Sequence, residues 1–213
     1  MSRLVDAAGG LDVTIRFNEE SGLARPEVYD WVATVPKILA NADYDVIVVM
    51  MGSNDRQQLR DGNMRHAFNS PEWITAYKAQ IDSLLDELLD PEARVYWVGM
   101  PPMQAADYDA AMQVITALQK ERAEARGVTF IDMRPHFVAA DGSYTDTGPD
   151  DTGVVRRLRG RDGISFFKQG NNRMGQIVLD AIMSGGAAPA ARPMAETDDA
   201  ETPKAPEIVV PEF

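Results

Sequence analysis

The most apolar stretch of the chain, YDVIVVMM at 44–51, has only Asp45 as a charged interruption and predicts a strand covered on both faces. By contrast, DVTIRF at 12–17 alternates Val13, Ile15 and Phe17 with Thr14 and Arg16, the period-two pattern of a half-buried edge strand. RVYWVGM (94–100) and VTFIDM (128–133) predict two further strands. Between these runs the apolar period lengthens to that of a helix. Trp73, Tyr77, Ile81, Leu84, Leu85 and Leu88 share one face of a helix over 71–90, opened by Ser70 as cap and Pro71 in the first turn. Tyr108, Ala111, Met112, Ile115 and Leu118 mark a second over 107–126, closed by Gly127. Met174, Ile177, Val178, Ala181 and Ile182 mark a third over 168–183. An earlier helix carries Trp31, Val35, Ile38 and Leu39, with a kink expected at Pro36. Strands alternating with helices over 1–184 predict an α/β fold with a mostly parallel sheet. The rings and methionines on these stripes read as core.

The pattern stops at Ser184. From 185 to 213 the chain reads GGAAPAARPMAETDDAETPKAPEIVVPEF, with six acidic and two basic residues and no apolar period. Such a segment cannot offset the entropy of ordering, so 185–213 reads as a disordered acidic Ala/Pro-rich tail. Its IVV is the one part suited to docking. No internal repeat occurs.

Charge narrows the function classes. Of 213 residues, 21 are Lys or Arg and 33 are Asp or Glu, a net charge of −12, which disfavours nucleic acid and anionic membranes as partners. The chain has no cysteine, excluding disulfides and thiol catalysis. No apolar run approaches the ~20 residues of a membrane-spanning helix, and MSRLVDAAGG lacks the features of a signal peptide. No His/Asp/Glu spacing suggests a metal, and no cofactor is expected.

Ligands of open parallel sheets bind beyond the carboxyl ends of the strands, so polar residues there are informative. Gly52-Ser53-Asn54-Asp55 follows the most apolar strand; it suits a tight turn, and the Asn54 amide could also donate to a developing oxyanion. Ser21-Gly22 follows the 12–17 strand and could present a backbone N–H to the same place. Arg156, Arg157, Arg159 and Arg161 crowd the stretch before Asp162; they suit either an anionic ligand, such as a carboxylated or phosphorylated glycan, or neutralisation of Asp150 and Asp151. The histidines are His66, in the loop after Asn54, and His136, after the 128–133 strand. Both read first as surface or hydrogen-bonded loop residues.

Taken together, VVMMGSNDRQ, the upstream SGL followed by YDW, WVGMPPM and RRLRGRDGISFFKQG resemble the SGNH (GDSL-like) hydrolase superfamily, most of all a bacterial, envelope-associated subgroup of unknown substrate, over residues 1–184. The resemblance implies a three-layer α/β/α flavodoxin-like sandwich with strand order 2-1-3-4-5. It implies ester hydrolysis or acyl transfer by a Ser–His–Asp site, with an oxyanion hole built from the nucleophile's N–H, a Gly N–H and an Asn amide. On this chain the glycine is Gly22, the asparagine Asn54 and the acid Asp162. The histidine position, three residues after Asp162, holds Ser165, which cannot act as a general base near neutrality. The Gly-Asp-Ser block carrying the nucleophile belongs at the end of the family's first strand, and MSRLVDAAGG resembles the helix after it. The first strand is therefore expected to be missing, through a late start or a fragment. Ser2 lies near the absent serine but on a terminus that would fray. Without that strand, 12–17 must pair directly with 44–51, or the central apolar faces stay uncovered.

The resulting expectation is a catalytically degenerate hydrolase whose cleft binds a small-molecule or glycan ester, or an envelope ligand. The alternative is an active serine esterase or acyl-transferase with its nucleophile upstream of Met1 and an unconventional base such as His136. A third class is a scaffold acting through the tail, on a protein partner the sequence does not identify. An upstream export segment would place the protein in the periplasm or envelope; otherwise it is cytoplasmic.

Overall fold

The computed structural model describes residues 11–89, 93–185 and 207–209, the last through their backbone. In chain order the described elements are β1 (Asp12–Thr14), α1 (Trp31–Leu39), β2 (Val46–Val49), β3 (Leu59–Asp61), β4 (Met64–His66), α2 (Pro71–Leu89), β5 (Arg94–Val98), α3 (Ala106–Ala125), β6 (Thr129–Ile131), a 3-10 turn (Arg134–His136), β7 (Thr147–Pro149), β8 (Val155–Arg157), α4 (Lys168–Ser184) and β9 (Glu207–Val209). The main sheet runs β1-β9-β2-β5-β6 with every pairing parallel, and helices flank it in an α/β/α arrangement.

Strand β2 is buried along its whole length, from Val46 at 1% to Val49 at 7% exposure, which explains its unbroken apolar run. It pairs with β5 from Val46↔Arg94 to Val49↔Trp97, and Val95–Val98 are buried in turn. The apolar stripe of α2 is its buried face, residue for residue: Trp73, Tyr77, Ile81, Leu84, Leu85 and Leu88. Burying each such side chain contributes about 1.5–3 kcal/mol, which is why the stripe rather than local propensity places the helix. Ser70 caps it, its Oγ accepting from Trp73 N–H at 3.2 Å. In α3 the buried face holds Ala111, Met112 and Ile115 and continues through Gln119 and Ala123, while Leu118 is only partly buried. Helix α1 starts at Asp30, whose carboxylate accepts from Ala33 N–H at 2.9 Å, and runs through Pro36 to Leu39.

Three features depart from the sequence reading. Strand β1 has three residues rather than six, because Ile15–Phe17 leave the ladder. Two small hairpins, β3–β4 and β7–β8, lie outside the main sheet; each is too short for an alternation to register. The third is the placement of β9. Neither expected arrangement of the sheet centre occurs, since β1 does not pair with β2. Instead β9 lies between them, with Val13↔Ile208 on one side and Val46↔Ile208 on the other. This is the place that the order 2-1-3-4-5 gives to a first strand. Two parallel strands flanking a central gap carry unpaired N–H and C=O groups, and β9, with its β-prone Ile208 and Val209, pairs with all three residues of β1 and with Val46 and Ile47 of β2. The rest of the segment read as a disordered tail, 186–206 and 210–213, lies outside the described residues, as does MSRLVDAAGG with Ser2.

Candidate active site

Beyond Val49 the chain passes through Met50 and Met51 into a turn at Gly52, whose φ is 133°. A Cβ there would stand 2.9 Å from Gln119 Nε2 and 3.0 Å from Ile115 Cγ2, so the turn requires glycine on both conformational and steric grounds. The Asp55 N–H donates to the Gly52 carbonyl at 2.9 Å and closes it. Asn54 then donates from Nδ2 to the Ser21 carbonyl at 3.0 Å. The structure thus brings Asn54 and Ser21-Gly22 together at the carboxyl end of the sheet. The Gly22 N–H donates to no acceptor among the described residues.

What locks the two loops is a residue that the sequence reading treated only as a turn former. Asp55 is fully buried; its Oδ1 accepts from Ala24 N–H at 2.9 Å and its Oδ2 from the Tyr77 hydroxyl at 2.7 Å. The Tyr77 oxygen accepts in turn from Gln119 Nε2 at 3.1 Å, which also donates to the Met51 carbonyl at 2.9 Å. Burial raises the Asp55 pKa, with the Tyr77 and Ala24 hydrogen bonds opposing it. The Tyr77 phenol is pushed well up, by burial first and by the Asp55 charge second. The sequence reading did not single out Gln119; its place on the buried face of α3 and its partners come from the fold.

A mostly apolar cavity of about 460 Å³ opens beside this loop pair. Gly52, Ser53, Asn54 and Ser21 line its polar end; Ile47 and Val49 of β2, with Val35, Ile38, Leu84 and Leu88 of the helices, line its apolar side. Asp162 and the arginines at 156, 157, 159 and 161 do not line it, whereas Arg16 does.

Asp162 caps its own loop. Its Oδ1 accepts from the N–H groups of Ile164 (2.9 Å) and Ser165 (2.9 Å) and from Ser165 Oγ (3.0 Å). The backbone N–H of Ile164 is the largest cause of its lowered pKa, followed by Ser165; the carboxylate is ionised and its accepting oxygen is taken. The loop rests on the segment after β5, through Gln104 N–H to Gly163 O at 3.2 Å.

The four arginines divide. Arg156 pairs with Asp150 at 2.7 Å, and Arg157 with Asp146 at 3.1 Å. Arg159 is completely buried, and its guanidinium donates to the carbonyls of Pro102 (2.7 Å), Gly163 (3.1 Å) and Ile164 (2.9 Å) beneath the Phe166 ring at 4.1 Å. Its donors are directed into the protein, so within the set expected to bind ligand Arg159 is instead the peg that holds the Asp162 loop. Arg157 and Arg161 line a separate surface cavity with Gln104, Tyr144 and Asp146. Of the histidines, His66 sits on β4 opposite Leu59. His136 ends the 3-10 turn after β6; partial burial and then Arg173 lower its pKa, with Asp132 opposing.

Solved structures share this fold. A GDSL-like lipase from Bacteroides thetaiotaomicron is 14% identical with a TM-score of 0.54, over 78% of this chain and 73% of that one. An acetyl xylan esterase is 15% identical with a TM-score of 0.51, over 76% and 77%. An α/β hydrolase enzyme from the metagenome of Lake Arreo, Spain, is 19% identical with a TM-score of 0.51, over 78% and 68%. No curated protein matches the chain. A family model described as "Protein of unknown function (DUF459)" matches residues 1–181.

Proposed function

We propose that this chain, which belongs to the DUF459 family and has the SGNH-hydrolase fold, is a catalytically degenerate ester hydrolase that binds an acylated small molecule or glycan in the cleft beside Asn54. The observation that carries this reading is the Asp162 loop: where the mechanism needs a carboxylate orienting an imidazole, Asp162 is closed by the hydroxyl and N–H of Ser165. A serine hydroxyl has no accessible pKa near neutrality and supplies no general base. Two of the three oxyanion donors that the resemblance implies, the Asn54 amide and the Gly22 N–H, support the ligand reading. Asn54 spends one amide hydrogen on Ser21 and keeps the other for a ligand oxygen, and the Gly22 N–H is free of protein acceptors among the described residues. The mostly apolar cavity beside them suits an acyl chain or a sugar face.

The test has two parts. Hydrolysis of 4-nitrophenyl acetate at pH 7.5 is expected at the rate of the heat-denatured protein. An acetylated xylo-oligosaccharide is expected to bind by calorimetry, with Asn54→Ala weakening binding about tenfold, the loss of one hydrogen bond near 1 kcal/mol. Esterase activity abolished by His136→Ala would establish the alternative, an active enzyme with an unconventional base. Absence of binding would remove the ligand reading.

A further inference from the structure

We infer that Arg25, Arg60 and Arg65, with Gln57 and Gln58, form a recognition site for an oxyanion group, a phosphate or a carboxylate, on a ligand or partner that approaches the rim of the cleft. The reading does not depend on the ester-hydrolase proposal. These residues, with Glu27, line a surface cavity of about 490 Å³. Two come from the loops already described: Arg25 lies three residues after Gly22, and Gln57 three after Asn54. Arg60 and Arg65 come from the β3–β4 hairpin, where they stand directly opposite each other in the antiparallel register. Facing residues of such a pair project from the same side of the ribbon, and like charges there repel. In a chain of net charge −12, two exposed guanidiniums have been set side by side with no ion pair to either among the described residues.

The hairpin holds them there. Leu59 anchors β3 in the core at 1% exposure, and Gly62, with φ 56°, makes the two-residue turn. Asp61 is one residue along β3 from Arg60 and so points to the other side of the ribbon. Among the described residues the one carboxylate lining the cavity, Glu27, reaches Arg25 at 3.6 Å. Guanidinium forks and glutamine amides are the donors that bind a planar or tetrahedral oxyanion by several hydrogen bonds, and a bound anion would relieve the repulsion between Arg60 and Arg65.

The experiment is thermal unfolding of the full chain with inorganic phosphate or glucuronate, against sodium chloride at matched ionic strength. At about ten times Kd, either probe is expected to raise Tm by roughly 3 °C or more. A shift with one probe alone identifies the group. Arg60→Gln and Arg65→Gln should abolish the shift and, without anion, should each melt slightly above the wild type, because the repulsion is gone. No anion shift in the wild type, a shift retained in both variants, or variants that melt lower without anion would overturn the inference.

Discussion

Gly22→Ala is the sharpest test of how the site is held. A Cβ at this position would stand 2.0 Å from Asp55 Oδ1 and 2.9 Å from its Cγ, whereas ordinary contact begins at 3.4 Å. Something must move by more than about 1 Å before that contact is relieved. The obstructing atom ends a side chain, but not a mobile one: Asp55 is fully buried and fixed by Ala24 N–H at 2.9 Å and the Tyr77 hydroxyl at 2.7 Å. Retreat of Oδ1 breaks the first of these bonds, and a charged hydrogen bond is worth about 1.5–3 kcal/mol. Overpacking of the surrounding core adds about 1–3 kcal/mol. The expected destabilisation is therefore about 2.5–6 kcal/mol, read as a lowered urea midpoint at pH 7 with an unchanged m-value. A loss below about 1 kcal/mol would refute the reasoning, because the Gly22 and Asn54 loops would then not be clamped through Asp55.

Two further predictions follow from the same network and from the β7–β8 hairpin. Tyr77→Phe removes the donor to Asp55 Oδ2 and should cost about 1.5–3 kcal/mol. It also raises further an Asp55 pKa that burial already raises, so stability from the protonated form is lost as pH rises through the folded pKa; urea unfolding should show a larger deficit at pH 8 than at pH 5, and an equal deficit would contradict this. Asp150 has the opposite sign: the Thr152 hydroxyl first, with the N–H groups of Thr152 and Val154 and then Arg156, lowers its pKa to about 2. Its contribution is present above the ordinary value of 3.8 and lost as pH falls through about 2, so Tm against pH between 5 and 2 should fall less steeply in Asp150→Asn than in the wild type. Parallel curves would show that Asp150 carries none of the acid sensitivity.

The sequence by itself determined the layers. Burial on both faces of β2 demands a continuous apolar run, and a helix that covers a sheet demands a stripe, so YDVIVVMM and the Trp73–Leu88 positions announce their places before any folding. That Gly22 and Asn54 share one place was an expectation from strand-end position and from the resemblance; what the structure shows is Asn54 donating to the carbonyl of Ser21, the residue before Gly22. Tertiary structure alone decided the rest. Asp55 looks like any turn residue until α2 brings Tyr77 and α3 brings Gln119 over it; polarity in a sequence does not say whether a carboxylate faces water or a buried hydroxyl. Pairing with Asp150 was one of the two readings the sequence offered for the four arginines, and Arg156 takes it while Arg157 pairs with Asp146; only the fold shows Arg159 buried on three carbonyls, because Pro102 comes from a distant segment. Likewise, the Ile-Val-Val run was legible as a segment suited to docking, but nothing local places Glu207–Val209 in the centre of the sheet. Its place follows from unpaired edges on β1 and β2, and strand pairing across such a distance is a property of the folded sheet rather than of any stretch of chain.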